Sequence, residues 1–319
     1  MACFSDRAQN SSMKCMAYRS SAEQQGVALV LVLWILALMT IMAGSFALST
    51  QRETSLVTNS RERAKAVALA DGGIHYAMFM LNLPNAAQRW RADGTPYGLT
   101  LGGVPVEVRI YDEAGKIDLN AARESTLRTI LTKVTQNEDQ AVKLTDAILD
   151  WRDGDDMRRL NGAESAEYRA AGLNQMPQNR NFLVLEELRS VLGVTSSLYR
   201  KLEPLFTLYA NVDGINPTKA PASVLLALTD GNSQLVDSII AAREAGNGTI
   251  PPPPLPAVTG IRFHSSGDSV YTILAHPVLR DRSEPPVTAV VRREARRSGA
   301  PPFVFLRWKP QTIGITPTQ

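Results

Sequence analysis

The sequence predicts an α+β chain: a long N-terminal helix that enters a membrane, an antiparallel sheet, and an all-helical block inserted between the strands. Three observations carry this. Between Glu23 and Arg52 lie 28 residues without a formal charge. Val104 to Tyr111 alternates apolar and polar side chains behind a Gly-Gly pair, and residues 113–208 switch to three- and four-residue apolar spacing. At 319 residues and net charge +3, the chain is long enough for about two or three domains beyond the anchor. Its charge is too small to argue for a nucleic-acid partner.

Residues 1–26 read as a polar leader containing Lys14, Arg19 and both cysteines, Cys3 and Cys15. A chain cut after Gly26 therefore has no thiol for a disulfide or a thiolate metal site. Met13 is the expected initiator, which shortens the leader to 14 residues. Residues 27–49 are the transmembrane helix. A hydrocarbon core about 30 Å thick needs roughly 20 apolar residues, and Val27 to Leu48 supplies 22, interrupted by Thr40, Gly44 and Ser45. A secretory signal peptide has a shorter apolar region followed by its cleavage site. Here the processing cue, Gly26, precedes the run, so cleavage there keeps the anchor. Lys14 and Arg19 before the span and Arg52, Arg61, Arg63 and Lys65 after it leave orientation unset by the positive-inside rule.

Residues 50–112 extend the helix and add the first hairpin. Val67, Ala70, Ile74, Met78 and Leu81 form an amphipathic stripe that Pro84 ends. One helix from Val27 to about Leu83, roughly 57 residues, would reach about 85 Å. Gly72-Gly73 is its expected soft point, each glycine weakening a helix by about 1 kcal/mol relative to alanine. Leu99 to Leu101, the turn Gly102-Gly103 and Val104 to Tyr111 predict a hairpin with one buried face.

The inserted helical domain at 113–208 shows four stripes: Leu127, Ile130, Leu131 and Val134; Val142, Thr145, Ile148 and Leu149; Leu183 to Leu192; and Leu198 to Phe206. Such a block is too long for a loop. Residues 209–256 then repeat part of it. Leu119-Asn120, Leu127, Ile130 and Asp146 to Arg152 match Ile215-Asn216, Leu225, Leu228 and Asp237 to Arg243 across a two-residue and a seven-residue gap. Two copies mean a reused helical unit and not a solenoid. Gly246-Asn247-Gly248 and Pro251 to Pro256 form a linker, stiff in its proline part. Residues 257–319 predict the closing antiparallel sheet, with strands at Gly260 to Phe263, Val270 to Ala275, Thr288 to Arg293 and Phe303 to Trp308. Val270 to Ala275 is apolar on both faces and should be central.

A short polar leader, a glycine and an apolar helix that starts at once resemble the type III signal of type IV pilins and type II secretion pseudopilins. A long first helix followed by antiparallel strands is similar to the pilin-like fold. The resemblance implies that a prepilin peptidase cuts after Gly26 and leaves Val27 as the new N-terminus. Val27 stands where an aromatic or methionine is commoner, which leaves its N-methylation open. Leu31 occupies the position where the family usually carries a glutamate to neutralise a neighbour's terminal amine. A carboxylate in hydrocarbon persists only when paired, so Leu31 suits a subunit with nothing above it. In this it resembles the K-type minor pseudopilin, a tip-position signature. The two helical units resemble SAM-like or helix-hairpin-helix modules, of which K-type pseudopilins have two. Asp268 to Tyr271 and Phe303 to Trp308 are similar to that family's terminal sheet.

The resemblance further implies a single-pass protein of the inner membrane of a Gram-negative bacterium, its bulk in the periplasm, required for export across the outer membrane. The implied partners are the I- and J-type minor pseudopilins, the major pseudopilin and prepilin peptidase, with a secreted substrate or the outer-membrane secretin as further contacts. No cofactor is required.

The densest carboxylate group is Asp150, Asp153, Asp155 and Asp156, followed by Gly162-Ala163-Glu164 and Tyr168. Hard oxygen ligands around glycines suit calcium at about 2.3–2.6 Å. The spacing is not that of an EF-hand, and Arg152, Arg158 and Arg159 are placed to neutralise the same charges, so a calcium site and a turn held by ion pairs both remain open. The resembled family carries a similar acidic series. His75, His264 and His276 are isolated in sequence, and neither Gly-Gly pair has a phosphate-loop context. The expectation is a non-enzymatic protein. Arg292-Arg293 and Arg296-Arg297 make a basic cluster, open to lipid phosphate or nucleic acid but read first as a solvated edge that discourages strand pairing. Two other functions compete: a minor pilin or adhesin of a type IV pilus, which leaves the paired helical units unexplained, and helix-hairpin-helix nucleic-acid binding in DNA uptake. Against the latter, Val134 to Asn137 and Thr229 to Ser233 are read as turns without a glycine hairpin, so no nucleic acid is expected.

Overall fold

The computed structural model describes residues 25–245, 253–267, 269–279, 282–283, 286–294 and 301–310. The leader with Cys3, Met13, Lys14, Cys15 and Arg19, the glycine linker, Pro251-Pro252, Asp268 and Arg296-Arg297 lie outside these residues. In chain order the elements are helix α1 (Gln25–Leu81), strands β1 (Asp93–Leu101), β2 (Val104–Asp112) and β3 (Ile117–Asp118), and helices α2 (Glu124–Thr135), α3 (Glu138–Arg152), α4 (Ser165–Ala170) and α5 (Ser196–Leu202). Strand β4 (Phe206–Thr207) and helices α6 (Ala222–Leu228) and α7 (Ser233–Glu244) follow. The chain ends with β5 (Val270–Leu279), β6 (Arg282–Ser283), β7 (Val287–Arg293) and β8 (Phe303–Pro310).

The chain divides into two compact units, Met1–Arg61 and Glu62–Gln319. In the first, the helical side chains from Leu29 to Leu48 are exposed, including Leu31 at 57 % and Trp34 at 73 %. By length and composition this helix can cross a membrane.

In the second unit the sheet runs in the order β1-β2-β5-β7-β8, all antiparallel, with β6 paired to β5. The hairpin turns on Gly102 and Gly103 at φ 55° and 76°, a left-handed pair that glycine adopts without strain. Strand β5 is central, as its two apolar faces require. Ala70, Ile74, Ala77 and Leu81 of the helix pack on Val106, Val108, Ile273, Ala275 and Ala289 of the sheet. Gly72-Gly73 is not a break in the helix. A Cβ on Gly73 would stand 3.2 Å from Val106 and 3.3 Å from Ala275, so the bare backbone is what lets the sheet approach.

The helical block is inserted between β2 and β5, which are themselves paired, with Asp112 opposite Tyr271. Its single core runs from Ile117 to Ile261 and includes Trp151, Tyr168, Phe182, Leu202, Leu225 and Ile239. The repeat seen in sequence is a repeat in space. Each copy has a short segment that pairs in parallel with chain lying beyond its helices: β3 with β4, and Ile215 with Phe263. Each second helix is capped by an asparagine, Asn137 onto Gln140 N and Asn232 onto Leu235 N. Each also carries in its last turn an arginine that donates to the carbonyls before its first helix. Arg152 donates to Leu119 and Ala122, and Arg243 to Pro217 and Ala220.

Four sequence expectations change. Leu183 to Leu192 contains a short 3₁₀ run at Leu185–Ser190 and not an α-helix. Gly260 to Phe263 is not a strand but a segment with one bridge at Phe263. The turn from Thr229 to Ser233 does contain a glycine, Gly231 at φ 81°, beside Asp230, whose carboxylate pairs with Lys133 at 2.6 Å. The basic pair at 292–293 is split. Arg292 pairs with Glu294 in the open, while Arg293 turns inward over the rings of Tyr271 and Phe303.

The block is tied to the last strand by Glu186, whose carboxylate accepts from Arg307 Nη2 at 2.9 Å and Lys309 Nζ at 2.6 Å. Burial alone would raise this acid, but Lys309 and Arg307 pull it down to about 2.

Candidate functional site

Two places hold the residues singled out by sequence. The first is the start of α1, where Gly26, Val27 and Leu31 lie on one continuous helix; the side chain of Val27 is outside the described set. The stretch from Val27 to Phe46 carries no charged residue.

The second is the acidic loop after α3. Asp150 sits on the last turn of that helix and is fully buried; Glu164 is 5 % exposed at the entry to α4. Asp150 accepts from Arg159 N at 3.2 Å, and the Arg159 guanidinium stands 3.5 Å from its carboxylate. Gly162 is required here, because a Cβ would fall 2.0 Å from Asp150 Oδ2. Asp146, which the sequence did not single out, holds the loop by accepting from Asn161 N and Nδ2. The arginines divide differently from expectation. Arg152 donates to backbone carbonyls and Arg158 pairs with Glu167, which leaves Arg159 as the guanidinium on the buried acid.

Both carboxylate oxygens of Glu164, and Oδ1 of Asp153, are buried without a hydrogen-bond partner. Burial, followed by the charges of Asp150, Asp153, Asp156 and Asp155, pushes Glu164 up to about 7. Burial outweighs the Arg159 amide at Asp150, and with Asp153 nearby it pushes that acid up to about 6. Asp155 and Asp156 are exposed, one accepting from Met157 N and the other from Asn179 Nδ2. Among the described residues no three His, Cys, Asp or Glu side chains gather closely enough to hold a metal by themselves. The orphaned oxygens of Glu164 and Asp153 fit a hard cation in their chemistry; the five predicted ligands do not converge as a set.

The raised acids carry a pH signature. An acid whose folded pKa lies above its unfolded value destabilises the fold once ionised, so this loop is least stable above about pH 7 and gains stability as the pH falls towards the unfolded value. In a chelator, Glu164→Gln should melt several degrees above the parent chain at about pH 8 and converge with it near pH 5. Differential scanning calorimetry at the two pH values checks this.

A chain with this architecture has known counterparts. The family model for type II secretion system (T2SS) protein K matches residues 99–211. The type II secretion system protein K of Klebsiella pneumoniae is 30 % identical over 251 residues, covering 70 % of this chain and 76 % of that protein. The chain belongs to the type II secretion system protein K family. The protein K of Pectobacterium carotovorum subsp. carotovorum is 32 % identical over 207 residues, 57 % of this chain and 62 % of the relative, so the chain spans under two thirds of that relative's length. A chain of the crystallised GspK-GspI-GspJ complex of enterotoxigenic Escherichia coli shares the fold, with a TM-score of 0.54 at 17 % identity, over 82 % of this chain and 99 % of that one. The family is one of structural minor pseudopilins, and the fold is pilin-like: a first helix against an antiparallel sheet, here with the helical block between β2 and β5.

Proposed function

We propose that this chain is the tip subunit of a type II secretion pseudopilus and serves export across the outer membrane. It would act by packing and not by catalysis. The observation that carries the reading is the combination, on one chain, of an uncharged N-terminal helix with Leu31 in place of an acid and a large block inserted into the sheet. The helix joins a bundle of other pseudopilins, and Leu31 asks for no terminal amine from a subunit above. The block stands out from a filament of ordinary pilin width and caps it.

In this reading prepilin peptidase cuts between Gly26 and Val27. The protein is anchored in the inner membrane with its bulk in the periplasm, and its partners are the I- and J-type minor pseudopilins and the major pseudopilin. The secretin or a secreted substrate would meet the block. Co-expression with the peptidase tests the processing step. The mature protein should begin at Val27 by N-terminal mass spectrometry, and Gly26→Val should leave only the precursor; a mature N-terminus elsewhere would overturn it.

Calcium belongs to the same proposal. Bound at the unpartnered oxygens of Glu164 and Asp153, it would supply the positive charge that these carboxylates lack, and it would lift the loss of stability at high pH described above. Calorimetric titration with no heat, together with an unchanged melting temperature on chelation, would reject it.

A further inference from the structure

The helical block and the sheet meet at a joint that side chains do not fill. The chain crosses this joint at two neighbouring places, from Asp112 to Glu113 and from Ser269 to Val270, and Asp112 pairs with Tyr271, so both crossings lie at one end of β2 and β5. The crossing itself is pinned. Asp112 Oδ1 accepts from Ala114 N at 3.0 Å, Ala114 O accepts from Asn216 N at 2.7 Å, and Asn216 Nδ2 donates to Ser266 O at 2.6 Å. The cores on either side of it share no residue.

Beyond the crossing, the block straddles the sheet. Successive residues of β5 point to opposite faces: Tyr271, Ile273 and Ala275 pack with α1, and Thr272 and Leu274 face the other way. On the α1 face, a crevice of about 400 Å³ is lined by Leu81, Tyr271 and Arg293 on one side and by Thr218, Lys219 and Arg243 of the block on the other. On the opposite face, a crevice of about 320 Å³ is lined by Thr272, Leu274 and Thr288 of the sheet and by Leu185, Phe206 and Leu208 of the block. Protein interiors are packed to crystal density, so a joint with open space on each face of the sheet is not a core.

Each crevice is spanned by the polar ends of side chains. On the α1 face Arg91 Nη1 donates to Arg243 O at 2.7 Å. On the opposite face Glu186 accepts from Arg307 Nη2 at 2.9 Å and from Lys309 Nζ at 2.6 Å. Leu185, Leu208 and Leu274 beside that contact are only half-buried. Tilting the block towards them removes more of their apolar surface from water, and the same tilt widens the crevice on the α1 face. The two crevices are linked in opposite senses about one pivot.

We propose that the helical block is a hinged module that rocks about the ends of β2 and β5, with Glu186 on Arg307 and Lys309 as the latch that sets its resting tilt. A hinge absorbs its change in a few residues at the ends of elements, which Asp112, Glu113 and the segment from His264 to Gly267 supply. Compact units joined through a polar interface move relative to one another by default. Glu186 holds both cations on one carboxylate, so its removal releases that side as a whole, whereas loss of either cation leaves the other in place.

The test measures distances by pulsed electron spin resonance on the full chain in detergent, with Cys3 and Cys15 replaced by serine and spin labels on introduced cysteines. Lys201→Cys on the block with Thr100→Cys on the sheet reports the tilt. Lys201→Cys with Gln140→Cys, both in the block, reports whether the block itself stays folded; all three positions are exposed. Glu186→Gln should broaden the block-to-sheet distribution about twofold and leave the pair inside the block unchanged. Exchanging the charges, Glu186→Lys with Arg307→Glu and Lys309→Glu, should narrow it again. A block-to-sheet distribution no broader in Glu186→Gln than in the parent would overturn the proposal, as would broadening of both pairs or broadening that the charge exchange leaves in place.

Discussion

Replacing residues 113–270 with a two-residue Asn-Gly turn should leave a folded, membrane-inserted protein that no longer supports type II secretion. The expectation rests on register. Strands β2 and β5 already pair with Asp112 opposite Tyr271, so the ends left by the excision lie across one antiparallel ladder, and a short hairpin turn closes it. The two cores are also separate: that of the block spans Ile117 to Ile261, and that of the sheet joins α1 to β2, β5 and β7. Excision removes the Glu186 bridge to Arg307 and Lys309 and exposes Leu274 and Val290, which line a cavity with Leu185 and Leu208. A companion variant carrying Leu274→Thr and Val290→Thr keeps that face soluble, so failure to fold and failure to work can be told apart. Circular dichroism should report retained strand, membrane fractionation retained insertion, and an export assay no secretion. Export at the parent level would mean that the block does not do the work assigned to it.

Trp151→Ala should cost the block about 3–5 kcal/mol, the range for emptying a buried large aromatic site. Trp151 is 2 % exposed, stacks on Phe182 with ring centres 6.0 Å apart, and meets Tyr168 at the same distance. These three rings join α3, α4 and the chain leading to the 3₁₀ run, so the cavity would lie where the acidic loop is anchored. Trp151→Phe separates packing from polarity. The indole Nε1 is buried without a partner, so the smaller ring loses volume but also removes an unsatisfied donor, and its cost should be well below that of alanine. Urea unfolding of the two variants gives the comparison.

Features set by periodicity were legible in the sequence. The helix ends at Leu81, near its expected limit, because Pro84 follows, and the hairpin forms where alternation meets Gly102-Gly103. The repeat placed Arg152 opposite Arg243, and the two arginines do the same work. What could not be read was set by tertiary contact. Strands β3 and β4 are two residues each, too short for a period to show. Gly73 reads as a helix weakener because the sheet that needs its bare backbone comes from elsewhere in the chain. Arg293 reads as part of an exposed basic run until Tyr271 and Phe303 are brought beneath it. The acidic loop was visible as a cluster, but its division was not: Glu164 is buried without a partner, while Asp155 and Asp156 are exposed.

The central claim, a minor pseudopilin that works by assembling with its fellows, is tested most directly by co-purification. Full-length chain extracted in detergent with the I- and J-type minor pseudopilins of the same bacterium should elute as one ternary complex on size exclusion, with all three present in equal amounts. Elution of the chain by itself, with the other two pairing without it, would contradict the account.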